Sequence, residues 1–279
     1  MSVRIVTDST CDLPPETIQR LGITVIPLHI HAEDRTYLDG VDLTREEFYA
    51  RLPRYVPAPK TAAPGPEVFA RIYERLANEG AQAILSIHIS ESLSATINSA
   101  RAAAEEFTRV PVTVLDSGQL SLGTGFIVEQ AAQLAKADKL TDQILSLLQN
   151  VMKRTYVFAS LKTLEYLRRS GRMHFALASL GEILQIKPLL HMHLGKPTAH
   201  RVRTQKRATE QVLAWLAEYA PFERLAVLHA GVTEEAQRLR EQVCSFFPEG
   251  GDVPIVQITP VLGAHLGIGA LGFACISKE

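Results

Sequence analysis

Residues 83–107 read AILSIHIS ESLSATINSA RAAAEEF. An apolar run of strand character ends in a hydroxyl-rich turn, and a helix of small residues follows at once. Ser90, Ser92, Ser94 and Thr96 cluster where a parallel strand would hand over to a helix. Ligands gather at that edge of open α/β sheets, because helix N-termini leave unpaired N–H groups pointing into the crevice. Ser94 therefore has two readings. It caps the helix, as serine commonly does, or it stands nearest an anionic ligand.

Working outward, the same alternation recurs on both sides. Residues 3–6 read as a short buried strand leading into DSTCDLPPE. Pro14 and Pro15 then open a helix that Gly22 ends, following the Pro-first, Gly-last asymmetry of helices. Residues 23–30 predict a second strand, and Thr44 with Glu47 forms a capping box for a helix through Leu52. The segment PRYVPAPKTAAPGPE (53–67) is rich in proline, so it is expected to be irregular and stiff. A helix over 67–78 leads into the opening stretch. Residues 112–115 form another strand, ending in DSGQLSLGTG before a helix rich in Ala and Leu. Short apolar strands alternating with helices predict a doubly wound parallel sheet in the first half.

A second pattern begins after a helix over 141–152. Residues 156–160 read as a strand, 161–169 as a helix closed by Ser170 and Gly171, and 176–184 as a further apolar helix. KPLLHMHLGKPTAHRVRT predicts two strands around a Leu-Gly-Lys turn, hence a hairpin and antiparallel pairing. Segments 204–219, 225–229, 234–246 and 255–258 resume the helix–strand rhythm. The fold class is α/β in two domains, a doubly wound N-terminal domain over 1–150 and a C-terminal α/β domain with a mixed sheet over 151–279.

The 279 residues are 46% hydrophobic and 21% charged, the balance of a globular protein with a sizeable core. A net charge of −1 provides no global field for nucleic acid or an anionic membrane. Cys11, Cys244 and Cys275 are odd in number and far apart, which suits a reducing cytoplasm. The N-terminus has no secretory apolar core, and 266–276 is too short and Gly-rich to span a bilayer. The expected location is cytoplasmic.

Three turns at strand ends carry similar polar sets, Asp8-Ser9-Thr10, Ser92/Ser94/Thr96 and Asp116-Ser117-Gly118. In a parallel sheet all three share one edge, either as Asx and Ser/Thr turn chemistry or as the rim of a crevice. Asp8, Ser9, Thr96, Asp116 and Ser117 are therefore candidate rim residues. GIGALG spells G-x-G-x-x-G at Gly267, Gly269 and Gly272, but only seven residues remain after it, too few for a βαβ unit with an acidic residue about 20 positions on, so it is no dinucleotide fingerprint. His265 beside it is either a hydrogen-bonded structural residue or one that faces a ligand. His29-x-His31 and His191-x-His193 each place two imidazoles on one strand face, without the further ligands a metal needs. No metal or cofactor is expected. G-x-S-x-G and the Walker A motif are absent. Two basic clusters, Arg168-Arg169-Ser170-Gly171-Arg172 and 201–207, are solvated surface or a local patch for phosphate or an acidic partner. Ala176, Leu177, Leu180, Ile183 and Leu184 make core, or part of an apolar ligand cavity.

Seven stretches in order, VTDSTCDLP (6–14), KTAAPGPEVF (60–69), SESLSATINSA (90–100), VLDSGQLSLGTG (114–125), LEYLRRSGRM (164–173), RVRTQKRA (201–208) and HLGIGALG (265–272), resemble the DegV family over essentially the whole chain. The resemblance implies a two-domain α/β protein that holds a fatty acid between its domains, with the acyl chain in an apolar tunnel. It implies that Thr61, Ser94 and His265 bind the carboxylate. It further implies presentation to a separate fatty acid kinase subunit that makes acyl phosphate for phospholipid synthesis, with Arg172 and Arg203 at the mouth for the kinase or head group. The implied protein is a carrier, not a catalyst, with at most transient membrane contact and no nucleic acid partner. The chain departs from the family pattern at Ala62, where Ser is usual, at Ala95 and Ile97, where Gly and an aromatic are usual, and at Ile268. Two other classes stand beside this reading. One is an enzyme, a small-molecule kinase subunit or a hydrolase using His265 and Ser94 as base and nucleophile. The other is an interaction module acting through Arg172 and Arg203.

Overall fold

β1 (Val3–Asp8), α1 (Pro15–Leu21) and β2 (Thr24–Ile26) form the first strand–helix–strand unit of the chain. In the computed structural model, which describes residues 2–173, 186–247 and 251–279, an excursion follows. It comprises β3 (His29–Ala32), β4 (Arg35–Leu38), α2 (Arg45–Arg51) and β5 (Lys60–Ala62). The chain then returns through α3 (Pro66–Asn78), β6 (Ala83–His88), α4 (Thr96–Glu106) and β7 (Val112–Asp116). The four strands order as β2-β1-β6-β7 with every pair parallel. β6 is buried along its whole length, as a central parallel strand covered on both faces must be. Val6, Ile26 and Ile84 pack on Phe69 and Tyr73 of α3 and Ala100 and Ala103 of α4. Ile5, Leu85 and Ile87 face the opposite way, toward Leu122 and Phe126 of α5 (Ser121–Lys136). Helices on both faces make this sheet doubly wound, as predicted.

The rest of the chain runs α6 (Thr141–Lys153), β8 (Thr155–Ser160), α7 (Glu165–Arg169), β9 (Lys187–His193), β10 (Lys196–Val202), α8 (Gln205–Tyr219), β11 (Phe222–His229), α9 (Thr233–Gln242), β12 (Ile255–Gln257), α10 (Pro260–Leu266) and β13 (Leu271–Ser277). Its six-stranded sheet has the order β10-β9-β8-β13-β11-β12. Only β11 and β12 pair in parallel, and the expected β9–β10 hairpin is present with His193 opposite Lys196. One face packs through Phe158, Leu189 and Phe273 on Val212, Trp215 and Leu216 of α8. The other face, with Val157, Met192, Leu228 and Ala274, joins the same apolar cluster as α5.

α5 is thus shared by the two sheets. Every residue from Ser121 to Glu129 is buried, the mark of a helix enclosed on all sides. Its glycines let neighbours come close. A Cβ at Gly123 would lie 2.5 Å from Val157 Cγ2, and one at Gly125 would lie 2.3 Å from the carbonyl oxygen of Cys11.

Four expectations are corrected. Residues 23–30 are not one strand. Pro27, which lacks an N–H for the ladder, separates β2 from β3, and the two enter different sheets. The proline-rich stretch is not wholly irregular. Lys60, Thr61 and Ala62 lie between Pro59 and Pro64, keep their N–H groups and pair antiparallel with β3. The helix expected over 161–169 is confined to Glu165–Arg169, and the one expected over 234–246 ends as α-helix at Gln242, followed by a 3-10 turn Cys244–Phe246. The Gly-rich C-terminal stretch forms β13, central in its sheet. The apolar helix expected over 176–184 lies outside the described residues.

Candidate functional site

An apolar cavity of about 200 Å3 opens where the excursion, the β6–α4 turn and α10 meet. β5 holds Thr61 opposite Ile30 of β3, so Thr61 projects from the edge of a small sheet. α10 brings His265 to it, with the imidazole Nε2 2.8 Å from Thr61 Oγ1. Ser94 lines the same cavity from the turn before α4, together with Ala62 and Ala95. The three residues named for the carboxylate are therefore brought to one cavity. The other walls are largely apolar and come from the mixed sheet, from α10 and from the connections that follow the parallel strands, with Leu28, Leu93, Val157, Leu190, Met192 and Leu262 among them.

Thr61 and His265 hold each other, whereas Ser94 is held by a neighbour in its own turn. Ser94 Oγ lies 2.9 Å from Thr96 Oγ1 and also accepts the Thr96 N–H. Ser94 is thus both turn former and cavity wall. Burial pushes the His265 imidazole down to about 3, and the Arg172 guanidinium adds to the effect, so the ring is neutral at pH 7. Its Nδ1 is buried and has no hydrogen-bond partner among the described residues. If Nε2–H donates to Thr61, the threonine hydroxyl proton is free to turn toward a ligand oxygen. His265 is engaged by Thr61 and Ser94 by Thr96, an arrangement that does not pair Ser94 with His265 as nucleophile and base. Arg172 is half-buried, lines the cavity and donates to the Ser170 carbonyl at 2.7 Å. Arg203 is exposed at the bend after β10 and does not line it.

The other rim candidates share the predicted sheet edge but are used inside it. Asp8 is fully buried and accepts from the Thr10 and Ile89 N–H groups while meeting His88 Nδ1 at 3.0 Å. Burial alone would raise its carboxyl; the His88, Thr10 and Ile89 contacts outweigh it and hold the carboxyl below the usual range. Ser9 donates to Asp39 at 2.6 Å. Asp116 accepts from the Gly118 N–H at 2.8 Å, and Ser117 meets Thr124 at 2.9 Å. None of Asp8, Ser9, Thr96, Asp116 and Ser117 lines the cavity, whereas Thr10 and Ser121 do.

Two further polar groupings escaped the sequence reading. Ser86 Oγ lies 2.7 Å from His88 Nε2, whose Nδ1 faces Asp8, and Tyr73 donates to Ser86 at 3.0 Å. This has the order of a nucleophile, base and acid, but all four groups are fully buried and none lines the cavity. The second is Asp12 with Asp39, at the N-terminal end of α10. The two His-x-His pairs have structural partners. His31 meets Thr36, His191 meets Tyr219 and His193 meets the Thr155 carbonyl. Among the described residues no group of three or more His, Cys, Asp or Glu could hold a metal ion, and no helix is long and apolar enough to cross a membrane.

Known proteins share this architecture over the whole chain. A DegV domain-containing protein of Deinococcus radiodurans is 38% identical over 98% of each chain, and one of Streptomyces coelicolor is 35% identical over 99% of each. A fatty-acid-binding DegV family protein from Thermus thermophilus superposes with a TM-score of 0.86 at 35% identity, covering 100% of each chain. DegV of Bacillus subtilis, a fatty acid binding protein, superposes with a TM-score of 0.89 at 30% identity, again over 100% of each. The sequence model described as "Uncharacterised protein, DegV family" matches residues 2–278. With its length, its parallel sheet and its mixed sheet all accounted for by these relatives, the chain belongs to the DegV family.

Proposed function

We propose that the cavity binds a long-chain fatty acid, with its carboxylate at Thr61, Ser94 and His265 and its acyl chain among the apolar walls. The observation that carries this reading is the contact between Thr61 and His265 in the wall of a largely apolar cavity. Fatty acid binding by the relatives from Thermus thermophilus and Bacillus subtilis supports it. Each methylene taken from water contributes ~0.8 kcal/mol, so a long chain offers on the order of 10 kcal/mol before ordering costs. A carboxylate brought inside is costly unless hydrogen-bonded. Two hydroxyls, that of Thr61 backed by the single N–H of the neutral imidazole, and the N-terminus of α4 meet that need without a fixed ion pair.

In this reading the protein is a carrier that works in the cytoplasm. It divides near residue 150 into domains 1–150 and 151–279 with the ligand between them, a division supported by cavity-lining residues from both sides of that point. The bound carboxylate is presented to an ATP-dependent fatty acid kinase subunit for acyl-phosphate formation, with Arg172 and Arg203 meeting the partner or the head group. Hydroxyl donors backed by a neutral imidazole neutralise no charge outright, which leaves the carboxylate able to react.

Mass spectrometry of the purified protein is expected to find a co-purified fatty acid, or exchange with added fatty acid. Finding neither defeats the reading. Ser94→Ala and His265→Ala should each weaken fatty acid binding about 10- to 100-fold, the loss of one hydrogen bond to a charged group, with an unchanged circular dichroism spectrum. Wild-type affinity in both variants would put the carboxylate elsewhere.

A further inference from the structure

α10 has seven residues, too few to be a stable helix by itself in water, yet it must hold His265 against Thr61. Its N-terminal end is secured in an unusual way. Thr259 occupies the N-cap position, where a threonine hydroxyl ordinarily accepts from the helix's own N–H groups; here it makes no such bond. Thr259 Oγ1 donates to Asp39 Oδ2 at 2.5 Å, and the Thr259 N–H donates to Asp12 Oδ1 at 2.8 Å. Asp39 and Asp12 are each only 2% exposed; Asp12 follows β1 of the parallel sheet and Asp39 follows β4 of the excursion, both far from Thr259 in sequence. They are themselves fixed. Ser9 donates to the same oxygen of Asp39 at 2.6 Å, and Ser121 donates to Asp12 Oδ2 at 2.6 Å. Arg45 lies 3.1 Å from Asp12 Oδ1 and also donates to the carbonyl of Gln257, two residues before Thr259. Burying two carboxylates against one guanidinium is costly, and a bond aimed at one short helix is what the arrangement provides in return.

We propose that Asp12 and Asp39 are positioning residues for the carboxylate site: by gripping Thr259, they set the helix that places His265 against Thr61. The inference rests on the fatty-acid reading of the cavity only for its binding readout. Thr259→Val keeps the side-chain shape and removes the donor to Asp39, Thr259→Ser keeps the donor, and Asp39→Asn removes the charge at nearly constant volume. Two quantities are measured, the affinity for cis-parinarate and the ring 15N resonances of His265 in delipidated protein. Thr259→Val and Asp39→Asn should weaken cis-parinarate by about tenfold or more, the scale of one buried hydrogen bond, and should move the His265 ring resonances. Thr259→Ser should restore both. Wild-type affinity with unmoved resonances in Thr259→Val overturns the proposal, as does a Ser variant as impaired as the Val variant. If Thr259→Val does not fold, Asp39→Asn decides by the same two readings. A wild-type protein that takes up no cis-parinarate defeats the fatty-acid reading; the His265 resonances, recorded without lipid, still decide whether the clasp sets the ring.

Discussion

His265 bears on stability as well as on binding. Its folded imidazole is pushed down to about 3, against about 6.5 for an unperturbed histidine. Between those values the unfolded chain takes a proton that the folded protein refuses. The contribution of the neutral ring is therefore complete above the unfolded value and is lost as pH falls below it. Asp12 and Asp39, pushed by burial up to about 6, act in the opposite direction, since the folded state then holds the protons first. Their effect is common to wild type and His265→Gln and cancels in the difference. Urea midpoints measured at pH 7 and pH 5 should show wild type losing ground to His265→Gln on acidification. A gap that does not change with pH would mean the ring is not buried neutral. Of the residues lining the cavity, Thr61, Ser94 and His265 were singled out through the family's motifs. The Asp12–Asp39 clasp and the Ser86–His88–Asp8 chain were not. Asp12 and Asp39 meet through Thr259, and Asp8 meets His88 from another strand, so nothing in local spacing marks either grouping.

At the scale of elements, local punctuation was read well and long-range placement less so. Pro15 with Gly22, the Thr44–Glu47 box and the hairpin between β9 and β10 all lie where short-range chemistry puts them. The small sheet of β3, β4 and β5 was missed because each strand has only three or four residues, too few for a period of two to show. α5 could be recognised as a helix, but not as one enclosed by two sheets, since small residues on every side serve an exposed and an enclosed helix alike. Its glycines make the distinction testable. In an exposed helix Gly→Ala is stabilising by roughly 1 kcal/mol. Gly125→Ala here sets a methyl group against the Cys11 carbonyl and should instead destabilise by about 1–3 kcal/mol, the usual cost of overpacking. A thermal midpoint equal to or above wild type would mean that the loop at Cys11 yields freely.

Across the whole molecule, α5 ties the two sheets into one cooperative structure. Arg224 of β11 reinforces the tie, meeting Glu129 of α5 at 2.7 Å with its guanidinium 4.8 Å from the Phe126 ring centroid. The sole tryptophan, Trp215 on α8, reports only on the mixed-sheet part, whereas far-UV circular dichroism averages over all elements. The two signals should unfold in urea with one midpoint. A Trp215 transition displaced from the circular dichroism transition would show that the halves melt separately and that α5 stays with only one of them. The position of β13 has a further consequence, in time rather than space. It lies between β8 and β11, so the strands made before it form two unjoined groups. During synthesis the mixed-sheet wall of the cavity cannot close until residue 277 has cleared the ribosome. Whatever the cavity holds is therefore enclosed only after β13 has paired with both β8 and β11, and not while the parallel sheet stands alone.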